Sequence, residues 1–258
     1  MIKKFLLYKM TSDTGFAPNP FGNYLTLATC TPNHQRANIG KEDWIIGVEG
    51  TTLAEERKKA GYHLEIEQCL IYAGKVCEVL DLDSYFHDPR FENKKYSPSN
   101  LQGDNVYYIE NNSWKWIRGH DHDIKSIPDE EAYIPVSKVD EFFKNEKLKE
   151  KYGAIIQDIW GNRVFICEEF LYFGDKCIEF NKKFLRCLNN RGIRYCTQEN
   201  FPELFSELES YISSLVKEYG LGKHGNPINN RLEEQEQNTC NKVKLPCSSK
   251  PRLCGGRR

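Results

Sequence analysis

The feature that most limits how this chain folds is the ten-residue run Asp13-Thr14-Gly15-Phe16-Ala17-Pro18-Asn19-Pro20-Phe21-Gly22. Two glycines and two prolines within ten residues exclude both a helix and a regular ladder. The run is flanked by the β-prone stretches Phe5-Leu6-Leu7-Tyr8 and Tyr24 to Cys30. The chain is therefore expected to carry a stiff loop between two strands, with Phe16 and Phe21 on it. Such a loop serves either as a rigid connection whose aromatics plug the core or as a binding surface on a rigid sheet.

Strand signals recur at Lys4–Lys9, Tyr24–Cys30, Asp43–Val48, Gln68–Leu80, Asn105–Ile109 and Val164–Glu168. Each is rich in Ile, Val, Leu, Tyr or Phe and bounded by turn residues. Helices are expected over Thr52–Ala60, at Asp81–Phe86, over Val139–Tyr152 and, most clearly, over Phe201–Tyr219. In the last, Leu204, Phe205, Leu208, Ile212 and Leu215 repeat at helical spacing between Pro202 and Gly220. Strands early and helices late predict an α+β domain, built on a mixed sheet or a barrel with flanking helices and a long C-terminal helix. The domain is expected over residues 1–220, with 221–258 as a flexible basic tail. Asn241 to Arg258 holds six Lys and Arg residues and no acid.

A net charge of −1 excludes a broadly basic, phosphate-coating surface. With no signal peptide and no long apolar run, the reading is cytoplasmic, without a membrane span. Ten cysteines are then read as thiols, several of them buried. No phosphate-cradling glycine loop is present, and no cofactor is expected.

Candidate chemistry falls at a few places. Arg118-Gly119-His120-Asp121-His122-Asp123 is either a solvated loop or, with a distant His87, a metal site. Cys240, Cys247 and Cys254 are spaced too widely for an ordinary zinc knuckle, and no metal is expected. Cys30 is a nucleophile candidate with His34 or Arg36 nearby in sequence, or else a structural thiol. Arg191-Gly192-Ile193-Arg194 suits a phosphate contact or a helix end followed by a turn. Aromatics including Trp44, Tyr107 and Tyr108 stud the strands and leave room for a stacked base, or else pack the core.

The motifs around Asp13–Phe21, Cys30-Thr31-Pro32 and Gly40–Gly47 resemble the nucleotide modification associated domain family, its second type. The likeness continues through Tyr85–Phe91, Gly103–Tyr108 and Phe170–Gly174 and spans roughly residues 4 to 215. A partial likeness to PUA-like barrels of the ASCH and EVE kind covers the middle of the chain. Where the family resemblance leads one to expect Arg-Gly-His-Arg, this chain has Arg191-Gly192-Ile193-Arg194, which removes an imidazole.

The resemblance implies recognition of a modified nucleobase, nucleotide or nucleic acid in bacterial DNA modification or phage defence. In that reading Phe16, Trp44 and Tyr107 stack, and Asp13, Asn19, Asp104 and Asn105 read base edges. Arg90, Arg191 and Arg194 would meet phosphate or sugar. One rival is an enzyme acting on a nucleotide or modified base, using Cys30 or His120 with Asp13 or Asp121. Another is an adaptor that docks a protein partner through residues 221–258.

Overall fold

The computed structural model describes residues 3–29, 37–62, 68–189 and 192–228. Cys30, His34, Arg36, Arg191 and the tail from residue 229 lie outside the described residues.

The fold is α+β, built around a mixed sheet. Its central strands are β1 (Lys4–Met10), β3 (Trp44–Glu49), β4 (Cys69–Leu80) and β8 (Val164–Tyr172). The short strands β2 (Leu25–Leu27), β9 (Ile178–Glu179), β10 (Ile193–Thr197) and β11 (Gly222–Lys223) complete it. The order is β10-β1-β3-β4-β8-β11, with β2 also paired to β8 and β9 to β4. Pairing is antiparallel except for β1 with β3 and β8 with β11. Among the described residues β10 and β11 end the path unpaired with each other, so the sheet stays open. Of the two expected forms, a mixed sheet or a PUA-like barrel, the fold takes the mixed sheet.

A second, antiparallel sheet joins β5 (Tyr107–Glu110), β6 (Ser113–Trp116) and β7 (Ile134–Pro135). The helices are α1 (Thr51–Lys59), α2 (Leu82–His87), α3 (Val139–Lys144), α4 (Glu146–Gly161) and α5 (Pro202–Tyr219). The single helix expected over 139–152 is two. Asn145 leaves helical geometry and caps α4 by accepting from the Lys147 and Leu148 amides, and Gly153 (φ +46°) breaks α4 in turn. A short polar side chain that caps a helix start also ends the helix before it.

Strand alternation divides the interior. Phe5 meets Phe205 of α5, their ring centroids 5.2 Å apart, while Leu6, Tyr8 and Met10 point to the opposite face. On β8, Phe165 and Cys167 join the core that holds β1, β3, β4 and α5. Val164 and Ile166 join a second core with Phe16, Tyr85, Phe91, Trp114, Ile155 and Ile159. One strand thus serves as a wall of both cores.

Ordered structure continues past the boundary expected at residue 220. Gly222 and Lys223 pair with Leu171 and Tyr172, the His224 amide donates to the Tyr172 carbonyl at 2.8 Å, and Ile228 is buried. A Cβ on Gly225 would lie 1.8 Å from the Phe173 carbonyl oxygen, so no other residue fits that crossing. The docking rests on backbone pairing, which a hydropathy pattern does not register.

Candidate functional site

The insert after β1 is folded by its own polar side chains. The Thr14 hydroxyl accepts from the Phe16 amide, and Asn19 Oδ1 accepts from the Phe21 amide. Asn19 and Thr26 exchange backbone bonds of 2.9 and 3.0 Å, which close the insert as a hairpin onto β2. Gly15 adopts φ +78°, and a Cβ there would sit 2.6 Å from the Pro227 ring. Glycine is required on both counts.

Asp13 anchors the insert from below. It is fully buried and accepts from the Tyr172 hydroxyl at 2.6 Å, while its Oδ2 has no hydrogen bond of ordinary geometry. Burial pushes its pKa up to about 7, against the lowering influence of the Tyr172 hydroxyl and the Ile228 backbone amide. Burial and the neighbouring Asp13 carboxyl raise the Tyr172 phenol well above its usual range, which keeps it a donor.

The outer side of the insert walls a cavity of about 380 Å³. Its floor is one face of the sheet: Leu6, Tyr8 and Met10 of β1, Ile45 of β3, Phe165 of β8 and Ile193 of β10. Register explains the convergence, since Leu6 pairs with Ile45 and Tyr8 with Ile193. Thr11, Ser12, Thr14, Phe16 and Ala17 form the insert wall, with Thr29, Ala37, Ile39, Asp121 and His122 opposite or beside it. A mostly apolar hollow with a few convergent polar groups is the usual form of a small-molecule site, at the small end of the ~300–1,000 Å³ range.

The loop carrying Asp121 and His122 is held by Asp123. That carboxylate accepts from the Gly119 amide at 2.7 Å, the Trp116 indole at 3.0 Å and the Arg118 guanidinium at 3.2 Å. Burial pushes its pKa up, but these three donors outweigh it and the pKa lies below the usual value. The His122 amide donates to His120 Nδ1 at 3.2 Å, and Phe16 fits between the two imidazoles. It stacks on His120 (centroids 6.0 Å, 15°) and meets His122 edge-on at 5.1 Å. The Thr14 hydroxyl donates to Asp121 Oδ2 at 3.3 Å, tying insert and loop together.

Behind His122 stands Asp158 of α4, almost wholly buried. His122 Nδ1 lies 2.5 Å from Asp158 Oδ2, which also accepts from the Tyr107 hydroxyl at 2.9 Å. Asp158 is inside because it shares the inward face of α4 with Ile155 and Gly161, each three residues away. With the proton on Nδ1, the imidazole donates to this carboxylate, which holds the ring in place. Tyr107, whose phenol pKa is raised by burial and the Asp158 charge, remains a donor.

Of the residues expected at a site, Phe16 and Asp121 line the cavity and His120 supports Phe16 from behind. Asp13 faces inward between two lining residues. Tyr107 is buried, and its hydroxyl is used on Asp158. Trp44 is packed in the first core, away from the cavity lining.

Asn19 and Asp104 belong to a separate buried network. Lys94 Nζ donates to the Asn19 and Tyr24 carbonyls, Asn19 Oδ1 and the Thr26 hydroxyl at 2.7–3.1 Å. Asp104 accepts from Thr26 at 2.6 Å and Tyr85 at 2.8 Å. Burial pulls the Lys94 pKa down to about 8, against the attraction of Asp104, and burial raises that of Asp104. Asn105 donates to the Tyr85 and Phe91 carbonyls. These side chains hold the fold and do not face a base.

Arg90 is exposed, paired with Asp88 and Glu78, and Arg194 lies over the Phe201 ring at 5.0 Å on β10. His87 pairs with Asp83 at 3.5 Å. Among the described residues no group of three His, Cys, Asp or Glu is placed to hold a metal, and no helix is long and apolar enough to cross a membrane. Among the described residues, Cys69, Cys77, Cys167, Cys177, Cys187 and Cys196 are free thiols.

The sequence marks His122 only as part of the histidine cluster weighed for a metal, and it does not mark Asp158. The signal for Asp158 was a carboxylate at an inward position of an amphipathic helix; His122 stood in the histidine cluster without a reason to prefer it. Comparison with known proteins bears on the front of the chain. Neither the curated proteins nor the solved structures include a match. Residues 2–133, just over half of the chain, match the family model described as nucleotide modification associated domain 2. That span contains the insert, β1, β3 and the His120–His122 loop, and stops short of Asp158. The chain belongs to the nucleotide modification associated domain 2 family.

Proposed function

We propose that the cavity beside the insert binds a nucleobase or nucleotide, and that the domain recognises a modified base in a bacterial DNA modification or phage defence system. The observation that carries this reading is the cavity itself, walled by Phe16 on a rigid insert. Phe16 borders the cavity from the second core, and a base that reaches its ring would gain about 1–3 kcal/mol by stacking. Asp121 and His122 offer an acceptor and an imidazole to a base edge, and the hydroxyls of Thr11, Ser12 and Thr29 offer further partners. Trp44, Asn19, Asp104, Asn105 and Tyr107 have no part in this contact, because the fold uses them elsewhere. Arg191 and the basic tail with its partner-docking role lie outside the described residues.

Lys9 is the one cation among the described lining residues, so affinity is expected to follow base chemistry more than salt. Calorimetry with plain and ring-substituted nucleosides and 5′-monophosphates tests the reading. Binding that weakens at least 5-fold in Phe16→Ala supports it. Absence of binding to every nucleoside and nucleotide overturns it.

A further inference from the structure

We infer that the strap Gly222–Ile228 is a clip that sets the cavity wall, so that the docked strap and a ligand in the cavity stabilise each other. The ligand half of this coupling rests on the cavity taking a nucleobase or nucleotide, as proposed above. The strap's hold on the insert stands apart from it. Positions alternate along the insert: Asp13 and Gly15 face the strap, whereas Ser12, Thr14 and Phe16 line the cavity. The two sets are chain neighbours, so displacing one displaces the other.

The strap grips the insert at several points. The Ile228 backbone amide acts on the buried Asp13 carboxyl, which also accepts from the Tyr172 hydroxyl at 2.6 Å. A Cβ on Gly15 would meet the Pro227 ring at 2.6 Å and the Phe21 ring at 3.0 Å, so these three residues pack together. Lys223 Nζ lies 5.3 Å from the centre of the Phe21 ring. Undocking therefore uncovers Asp13 and takes Pro227 from the Gly15 turn. A buried carboxyl that loses its cover gains by turning to water, and Ser12 and Thr14 turn with it.

The strap itself is held by few bonds. β11 pairs through Gly222 and Lys223, and the His224 amide donates to the Tyr172 carbonyl at 2.8 Å. Asp175 closes the far end: its amide donates to the Asn226 carbonyl, and its Oδ1 accepts from the Asn226 amide, both at 2.7 Å. The His224 ring stacks on Phe173 at 5.3 Å. Leu221, Lys223 and Asn226 are exposed. A short edge piece of this kind opens at lower cost than the central strands, which makes it a two-state element.

The cavity floor, with Leu6, Ile45 and Phe165, belongs to central strands, so opening of the strap reaches a ligand through the insert. Whatever factor in affinity is lost when the strap opens, a bound ligand must favour the docked strap by the same factor.

Hydrogen–deuterium exchange of the full chain tests the strap's hold with no ligand present. Gly225→Ala forces a Cβ to 1.8 Å from the Phe173 carbonyl oxygen and should open the strap. The Phe16 and Phe21 amides, bonded within the insert, should then exchange about 10-fold faster or more, with β4 and α5 unchanged. Pro227→Ala, which trims the ring against Gly15, should speed the same amides and serves where Gly225→Ala does not fold. Native exchange of the insert amides in each folded variant overturns the inference. In calorimetry with nucleosides and 5′-monophosphates, the folded variant should bind about 10-fold more weakly than the native protein. The same ligand should slow exchange of the His224 and Asn226 amides in the native chain. A ligand that binds both proteins equally overturns the coupling and leaves the recognition reading standing. Absence of binding to the native protein removes that reading and the coupling with it, and the ligand-free exchange still decides whether the strap holds the insert.

Discussion

Replacing Asp13 by Asn should remove a specific part of the dependence of stability on pH. Asp13 is buried, and its folded-state pKa is raised from 3.8 to about 7, mainly by desolvation. Between those values the folded chain holds a proton that the unfolded chain has lost. The stability this proton contributes is complete below about pH 4 and is lost as pH rises through 7. At 1.36 kcal/mol per pKa unit, roughly three units correspond to an upper bound of about 4 kcal/mol. Asn keeps an oxygen to accept from the Tyr172 hydroxyl but does not titrate. Urea unfolding of both proteins from pH 4 to 8.5 measures the difference, from which other titrating groups cancel. The stability of Asp13→Asn relative to the native protein should climb with pH by up to about 4 kcal/mol and level off above pH 7. A difference that stays constant across this range would refute the account of Asp13 as a desolvated carboxyl.

Three further outcomes are expected. Lys94→Met leaves the buried Asp104 without its compensating cation and should destabilise the fold by about 3–5 kcal/mol, read by chemical denaturation. Truncation after residue 220 should lower the melting temperature by several degrees relative to truncation after 228, because β11 and the cover over Asp13 and Gly15 are removed. Tyr107→Phe deletes one donor to Asp158 and should cost about 1 kcal/mol of stability, with near-UV circular dichroism otherwise native.

Much of the fold was legible because it is written in apolar periodicity. The apolar runs in Lys4–Lys9 and Gln68–Leu80 mark β1 and β4, and the Leu204–Leu215 spacing marks α5. Strands β9, β10 and β11 were missed because they are edge pieces held by backbone bonds, with too few apolar residues to make a pattern. The insert was legible as a stiff wall from its glycines and prolines. Its polar residues were assigned outward, although Asp13 and Asn19 are turned in by partners far along the chain, Tyr172 and Lys94. No local pattern carries that information. Asp158 was hidden for the same reason, since its meaning depends on His122 lying thirty-six residues before it.

The placement of β8 has a bearing on how the molecule comes apart. Since Phe165 and Cys167 are embedded on one side and Val164 and Ile166 on the other, neither half can melt without stripping a face of this shared rib. The two halves should therefore lose structure in one concerted event, with the amides of Val164 to Cys167 the last to exchange with solvent deuterium.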